Sequence, residues 1–384
     1  MAIDNPFVYD KFVTGKNFIG RREDCSILEN LLTQGEHIAL YGPPKSGKMS
    51  VIQQTLFNMR IAGKRFMVGQ FSLLNVRSVD RFLLRYGATA MRTVAQTPAE
   101  FAGIVERHLG GSHFVFDPAR YSQDDEPVSA GWALDETDRR AMLSLPFALA
   151  RESAQPLFLI MDEFERLNDL EGGEDVFRTL ESIIREQRGT QPACSLLFCG
   201  SMNNAMKEIF EEKRFFWRLA ERLSLRTVDE KEIIDYVVRG FLSSGKVVER
   251  ELLLGMCRLF RNNLWYINHF INICDGLSKG YIVESTLMEA LGCLLAIHEP
   301  RFMATMADLT AYQINFLQAV LERNTKFTAT SVRSKYGLSS SANVKRLREA
   351  LLKKEIITFN EQGEAVMLDP LFEYWVRKYY YEID

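Results

Sequence analysis

A glycine-rich loop near the N-terminus carries the strongest chemical signal in the sequence. It comprises Gly42, Pro43, Pro44, Lys45, Ser46, Gly47 and Lys48. It follows the apolar run 37–41 and precedes a helical stretch at 49–60, the context that a phosphate-binding loop requires. Glycines permit a tight turn whose N–H groups point inward at phosphate oxygens, and the helix N-terminus adds partial positive charge. The pattern predicts a triphosphate site in which Lys48 contacts the β- and γ-phosphates. It does not match the G-x-G-x-x-G spacing of dinucleotide-binding oxidoreductases.

The residue after this lysine departs from the usual phosphate loop. Serine or threonine normally stands there and binds Mg²⁺ through its hydroxyl, but this chain has Met49. A thioether is a poor ligand for a hard cation that prefers oxygen. Ser50 does not simply substitute, because one step along a helix turns the side chain by about 100°. We expect Met49 and Ser50 to line the nucleotide site, with phosphate binding less affected than metal-dependent hydrolysis.

Two adjacent carboxylates end a second apolar run. Residues 157–161 are apolar, and Asp162 and Glu163 follow directly. Ligands of parallel α/β sheets lie beyond the carboxyl ends of the strands, where both side chains should fall. Asp162 is the predicted Mg²⁺ ligand, usually through water, and Glu163 is the predicted base that polarises the attacking water.

The elements that position these groups alternate along residues 1–228. Short, continuous apolar runs alternate with helical stretches, which predicts a parallel sheet covered by helices on both faces. One segment, 110–138, is rich in Gly, Ser, Pro and acids, with Asp124-Asp125-Glu126 at its centre. We interpret it as an insertion near the nucleotide site that is either a solvated loop or a partner surface.

The remainder of the chain predicts two further domains. Residues 229–305 have helical apolar spacing and predict a helical lid. Residues 306–384 predict three helices and a two-stranded hairpin, the pattern of a winged helix. Its third helix carries Lys345, Arg346 and Arg348, which could neutralise DNA phosphates. Alternatively, they form a solvated basic face on a regulatory domain that packs against the ATPase core.

Composition excludes several classes of protein. The 384 residues carry a net charge of −3, which gives no general reason to expect binding to nucleic acid or membranes. We find neither a signal peptide nor an apolar run of the roughly 18 residues that a membrane helix needs. The six cysteines form no C-x-x-C pair, and the five histidines have no zinc spacing. We therefore predict a cytoplasmic protein without a structural metal.

Four stretches besides the glycine-rich loop resemble a known family. They are Asn5-Pro6-Phe7, Phe18-Ile19-Gly20-Arg21-Arg22-Glu23, Asp162-Glu163-Phe164 and the closing stretch 368–377. Nearly end to end, the chain resembles the archaeal-type ATPase family of the STAND branch of AAA+ proteins, which is related to origin-recognition ATPases. The resemblance implies an α/β P-loop NTPase core of the AAA+ type with a lid and a winged helix, and ATP or ADP with Mg²⁺ as ligands.

The resemblance also implies roles for individual residues. Phe18-Ile19-Gly20-Arg21 would lie beside the adenine, and Ser201 would be the polar sensor near the γ-phosphate. Arg218 would be the family's arginine after the fourth strand and contribute to catalysis. The chain departs from the family at Met49. It departs again at Asn262-Asn263-Leu264-Trp265, where the family usually has a Gly-Pro lid motif.

Three functional hypotheses remain open on the sequence. The first is a slow ATPase that acts as a nucleotide-controlled switch toward a protein partner that the sequence does not identify. The second is a nucleotide-binding pseudo-ATPase scaffold, favoured by Met49 and opposed by the retained Asp162-Glu163 pair. The third is an initiator-like ATPase that binds DNA through its winged helix.

Overall fold

The computed structural model describes residues 6–122, 126–360 and 362–383. Asn5 and the aspartates at 124 and 125, noted above, lie outside the described residues. The chain forms two compact units. The first comprises Met1–Arg22, Pro43–Gln54 and Arg226–Asp384, and the second comprises Glu23–Gly42 and Thr55–Leu225. Each unit is described by itself.

The described residues form strands and helices, which are numbered in chain order. The strands are β1 (His37–Tyr41), β2 (Met67–Ser72), β3 (Phe114–Phe116), β4 (Val128–Ala130), β5 (Leu157–Asp162), β6 (Cys194–Gly200), β7 (Ala220–Leu223), β8 (Val247–Val248), β9 (Tyr281–Ile282), β10 (Ile357–Phe359) and β11 (Ala365–Met367). The helices are α1 (Arg22–Gln34), α2 (Lys48–Ile61), α3 (Val79–Met91), α4 (Pro98–Leu109), α5 (Glu136–Glu152), α6 (Gly173–Gln187), α7 (Asn203–Lys207), α8 (Glu230–Ser243), α9 (Arg250–Leu259), α10 (Leu264–Leu277), α11 (Glu284–Ala307), α12 (Ala311–Leu321), α13 (Thr330–Lys335), α14 (Ser341–Lys353) and α15 (Pro370–Trp375).

The second unit is built on a five-stranded parallel sheet in the order β2-β5-β6-β1-β7. Strand β6 is buried along its whole length, and β5 is buried up to Asp162. Both strands are continuous apolar runs because their two faces are covered. The predicted parallel α/β sheet is confirmed. All five carboxyl ends meet at one edge, which we call the acidic edge because Asp162 ends β5 there.

The segment 110–138 is more ordered than its composition suggested. It contains the antiparallel hairpin of β3 and β4. Phe116 of this hairpin stacks on Phe101 of α4 at a centroid distance of 5.0 Å. Glu126, just before β4, is buried and pairs with Arg85 of α3 at 3.0 Å. The expectation of a solvated loop is therefore wrong for the described part, because aromatic side chains and a paired carboxylate anchor it to the helices.

The first unit contains the helices α8–α11 and a C-terminal group of helices and strands. In that group α12, α13 and α14 precede the antiparallel hairpin of β10 and β11, and α15 follows it. Three helices and a hairpin are the elements of a winged helix, as the sequence predicted. Helix α11 runs through the predicted lid boundary at 305 and ends at Ala307. One apolar core joins these helices to the hairpin.

Among the described residues, no helix combines the length and the apolar character that crossing a membrane demands.

Candidate functional site

The phosphate loop folds around the Lys48 side chain. Lys48 begins α2 and is only 6% exposed. Its Nζ donates to the Pro43 carbonyl oxygen at 3.0 Å and to Ser46 Oγ at 3.3 Å. The backbone takes positive φ at Lys45 (60°) and at Gly47 (88°), so two residues of the loop curve in the left-handed region. A buried ammonium and a helix N-terminus both attract an anionic phosphate, so the residues of this loop are compatible with phosphate binding.

The motif 18–21 lies against this loop within the first unit. Arg21 Nη1 donates to the Ser46 carbonyl oxygen at 2.6 Å. A Cβ at Gly47 would lie 3.2 Å from the same Nη1, so the glycine leaves room for the guanidinium. Gly20 has φ of 60°, and a Cβ there would lie 2.6 Å from Val228. The structure therefore brings Arg21 to the phosphate loop, while Ile19 packs against the apolar core and Phe18 follows the short 3-10 helix Gly15–Asn17.

Ser50 is engaged with the segment that precedes this motif. Its Oγ accepts a hydrogen bond from Val13 N at 3.1 Å, and Gln54 Oε1 accepts one from Gly15 N at 2.7 Å. The two side chains are four residues apart on α2 and therefore share one face of the helix. The Ser50 hydroxyl thus holds residue 13, and the expectation that Ser50 lines the nucleotide site stays a prediction.

The phosphate loop also contacts the helical region through aromatic side chains. Lys45 Nζ lies 3.3 Å from the ring centroid of Trp265, the second residue of α10. Partial removal of the Lys45 ammonium from water lowers its pKa, and the nearby Arg301 charge lowers it further. Trp265 packs edge-on against His269 at 5.5 Å, and Tyr9 stacks on His269 at 4.2 Å. Sequence analysis noted that the stretch 262–265 departs from the family's Gly-Pro lid motif, and in the structure Trp265 of this stretch contacts the loop.

The next residue of α10 continues this contact to the C-terminal helix α15. Tyr266 Oη donates to the Asp369 carboxylate at 2.8 Å, and Arg301 Nη2 donates to the same carboxylate at 2.9 Å. Asp369 also accepts the Leu371 N–H at 3.0 Å and so caps the N-terminus of α15. Arg261 donates to the Met367 carbonyl oxygen of β11 at 2.7 Å. A continuous series of side chains thus connects Lys45 of the phosphate loop with the N-terminal cap of α15, and Arg261 makes a separate contact with the wing.

The acidic edge of the second unit holds the predicted base and sensor together. Glu163 has φ of 56° and N-caps the 3-10 helix Phe164–Asp169, while Asp162 Oδ1 accepts the Glu163 N–H at 3.1 Å. Ser201 follows the last residue of β6, and its Oγ lies 2.8 Å and 2.7 Å from the two carboxylate oxygens of Glu163. One hydroxyl thereby orients the carboxylate. Asp162 supplies a hard oxygen of the kind that Mg²⁺ prefers, and Met49 supplies none.

Sequence analysis missed Glu165, the buried carboxyl beside this pair. It is 1% exposed, and burial, with a hydrogen bond to Glu163, raises its pKa to about 8. No motif or periodicity singles out a glutamate in a short 3-10 turn.

Arg218 lies at the opposite edge of the sheet. It precedes β7, whose first residue, Ala220, pairs with His37, the first residue of β1. Arg218 lines a cavity of about 260 Å³ together with Cys194, the first residue of β6. The 7 residues of β6 span ~20 Å between this cavity and Ser201. The structure therefore does not bring Arg218 to Glu163, and the catalytic role that the resemblance implies for Arg218 stays a prediction.

The basic residues of the winged helix lie on the solvent side of α14. Lys345, Arg346 and Arg348 are all exposed. Lys345 Nζ is 3.9 Å from Glu349, and the Arg348 guanidinium lies 3.8 Å above the ring of Phe359 in β10. These contacts orient two of the three cations without burying them.

Comparison with known proteins supports the fold described above. Residues 300–378 match a family model described as a probable winged helix domain. The search of curated proteins finds no match to this sequence. The chain is similar in structure to the Walker-type ATPase of Pyrococcus abyssi, with a TM-score of 0.67 and 14% identity over 97% of this chain and 99% of that one. It is also similar to the ORC2 protein of Aeropyrum pernix in its ADPNP-ADP complexes, with a TM-score of 0.53 and 12% identity over 93% of each chain. The chain therefore shares the fold of these two proteins, and its residues 300–378 form a winged-helix domain.

Proposed function

We propose that this protein binds ATP or ADP and acts as a nucleotide-controlled switch with slow hydrolysis. The observation that carries the proposal is the series of contacts from Lys45 through Trp265 and Tyr266 to Asp369. A phosphate bound in the loop changes the charge around Lys45, and Lys45 packs directly on the lid. The nucleotide then favours one arrangement of the lid and winged helix by its differential affinity for the two arrangements.

Binding is assigned to the phosphate loop. Lys48 would exchange its contacts with Pro43 and Ser46 for phosphate oxygens, and Arg21 would brace the loop from the adjacent motif. The similar ORC2 protein was solved with ADPNP and ADP, which supports an adenine nucleotide here. The motifs given above favour the STAND branch of the AAA+ proteins.

Hydrolysis is assigned to the acidic edge. Glu163 would accept a proton from the attacking water, and Ser201 would hold the carboxylate in position for it. Asp162 would hold Mg²⁺, which supplies charge stabilisation to the transferring phosphoryl group. The methionine at position 49 removes one hydroxyl ligand, and we expect turnover to be slow for that reason.

The test compares the natural protein with Met49→Thr and Glu163→Gln after calorimetry has measured ATP and ADP binding. We expect measurable binding in all three proteins, slow turnover in the natural one and at least tenfold faster turnover in Met49→Thr. In either background Glu163→Gln should lower turnover by about 100-fold or more, the usual contribution of a general base. Absence of nucleotide binding would overturn the proposal. Turnover only after Met49→Thr would instead identify a pseudo-ATPase scaffold.

The switch itself is tested by small-angle scattering with ADP and with a non-hydrolysable ATP analogue. We expect different scattering profiles, and the Trp265→Ala variant should reduce the difference because it removes the contact between loop and lid. Identical profiles for the two nucleotides in the natural protein would contradict the switch.

A second candidate function is DNA binding, favoured by the exposed cations of α14. Each phosphate contact releases counterions, so affinity for a duplex should fall steeply between about 50 and 200 mM salt. The triple variant Lys345/Arg346/Arg348→Ala should weaken binding and flatten that dependence. Weak, salt-independent binding that the triple variant does not alter would exclude this function.

A further inference from the structure

The buried glutamate Glu165 lies where the acidic turn meets the end of β6. It occupies the second position of the 3-10 helix Phe164–Asp169 and is 1% exposed. A buried carboxyl is costly unless hydrogen bonds compensate for the lost water. Its partners therefore indicate what the residue does.

One oxygen of Glu165 binds the backbone of the sensor segment. Oε1 accepts the N–H of Ser201 at 3.3 Å and the N–H of Met202 at 3.0 Å. The carboxyl also packs against Gly200, where a Cβ would lie 2.6 Å from Oε2. Glu165 thus fixes the backbone of the residue whose hydroxyl holds Glu163.

The other oxygen, Oε2, is buried and accepts no hydrogen bond from the described residues. The charged group in contact with the Glu165 carboxyl is Glu163, from the same turn. On the neighbouring elements, Glu174 of α6 and Glu208 after α7 both pair with Lys213. Two ionised carboxylates in contact repel each other, so that one of the two carboxyl groups tends to keep its proton. Burial and the hydrogen bond to Glu163 raise the pKa of Glu165 to about 8.

We propose that Glu165 is a positioning residue that holds the Glu163 carboxylate and the Ser201 backbone as one rigid unit. In its neutral form the Glu165 O–H donates to Glu163, while Oε1 continues to accept the two backbone N–H groups. Loss of this proton places a second negative charge beside Glu163 and loosens the unit. The consequence for turnover rests on the proposed hydrolysis, whereas the consequence for stability does not.

The pH dependence of folding stability tests whether Glu165 is protonated in the folded protein, and this measurement needs no nucleotide. The pKa of Glu165 in the folded protein, about 8, exceeds its ordinary value of 4.5, so the folded state keeps a proton that the unfolded state loses. This contribution is present at low pH and declines as pH rises toward 8. Glu165→Gln removes the decline, because an amide donates and accepts without ionising.

We compare the melting temperature of Glu165→Gln with that of the natural protein at two pH values. The difference should shift in favour of the variant by at least about 3 °C from about pH 5.5 to about pH 8.5. The matched control is Glu171→Gln, an exposed glutamate shortly after the same turn, whose melting temperature should follow the natural protein at both pH values. If the melting temperature of Glu165→Gln parallels that of the natural protein across this pH range, Glu165 is not protonated in the folded protein and the proposal fails.

Turnover against pH tests the positioning role, in the Met49→Thr background. Glu165→Ala should lower turnover by about tenfold at every pH, because Ser201 and Glu163 lose their anchor. The parent should lose activity above about pH 8, and Glu165→Gln should lack this alkaline decline. If Glu165→Ala in the Met49→Thr background keeps the turnover and the pH profile of Met49→Thr itself, Glu165 is not a positioning residue. If no background hydrolyses ATP, the proposed hydrolysis fails, and the stability experiment still decides whether Glu165 is the neutral anchor.

Discussion

The phosphate loop and the acidic edge have diverged to different degrees from the pattern that the sequence resembles. The acidic edge keeps its carboxylates and its serine, and Ser201 is hydrogen-bonded to Glu163 through its hydroxyl and to Glu165 through its backbone N–H. The phosphate loop keeps Lys48 but has lost the metal-binding hydroxyl, and its other lysine packs on Trp265 of the lid. The candidate base is retained while one candidate Mg²⁺ ligand is missing, which agrees with the slow hydrolysis proposed above.

The largest expected effect separates the two lysines of the loop. Lys48→Ala should weaken ATP binding by about 1,000-fold, since it removes several charge-assisted hydrogen bonds of about 1.5–3 kcal/mol each. Lys45→Ala is the matched control because Lys45 belongs to the same loop but is exposed and lies over Trp265. We expect it to weaken binding by less than about tenfold. Calorimetry measures both, and equal losses would contradict the distinct roles assigned to them.

The sequence predicted the strand β5 and the carboxylates at its carboxyl end because their signal is local. An apolar run that ends in two carboxylates specifies both a buried strand and the polar groups at its end. The contact between Lys45 and Trp265 joins residues far apart in the chain, so no spacing could indicate it. Glu165 was missed because its importance comes from the Ser201 backbone, which only the fold brings close. Arg218 was assigned by resemblance, and the register of β7 against β1 moves it to the other edge.

The second prediction tests the aromatic contact of the loop. Trp265→Ala should lower the free energy of unfolding by about 3 kcal/mol, at the low end for a tryptophan because the side chain is half-buried. Trp132→Ala is the control, since Trp132 is 78% exposed on the second unit and should cost less than about 0.5 kcal/mol. Denaturant unfolding gives both values. Equal costs would mean that the loop gains no support from the lid.

The third prediction concerns the hydroxyl that holds the base. In the Met49→Thr background, Ser201→Ala should lower kcat by about tenfold and leave ATP binding intact, because the Glu163 carboxylate loses its orientation. Ser195→Ala is the control on the same strand: the Ser195 hydroxyl is buried at the amino end of β6 without a hydrogen-bond partner among the described residues. Steady-state kinetics distinguishes the two variants. A loss of binding in Ser201→Ala would mean that Ser201 contacts the nucleotide directly.

The smallest expected effect concerns the face of α2 that turned out to serve the N-terminal segment. Ser50→Ala removes the acceptor for the Val13 N–H, a hydrogen bond worth about 1 kcal/mol. We expect hydrogen–deuterium exchange at Val13 to become about fivefold faster, while Gly15, held by Gln54, changes less. Ser50→Thr keeps an acceptor oxygen and should restore slow exchange. ATP affinity should stay within about twofold in Ser50→Ala, because its hydroxyl is already engaged by the Val13 N–H. A large loss of affinity would show that anchoring the segment at residues 13–15 is part of nucleotide binding, and the loop would then depend on the N-terminal segment as well as on the lid.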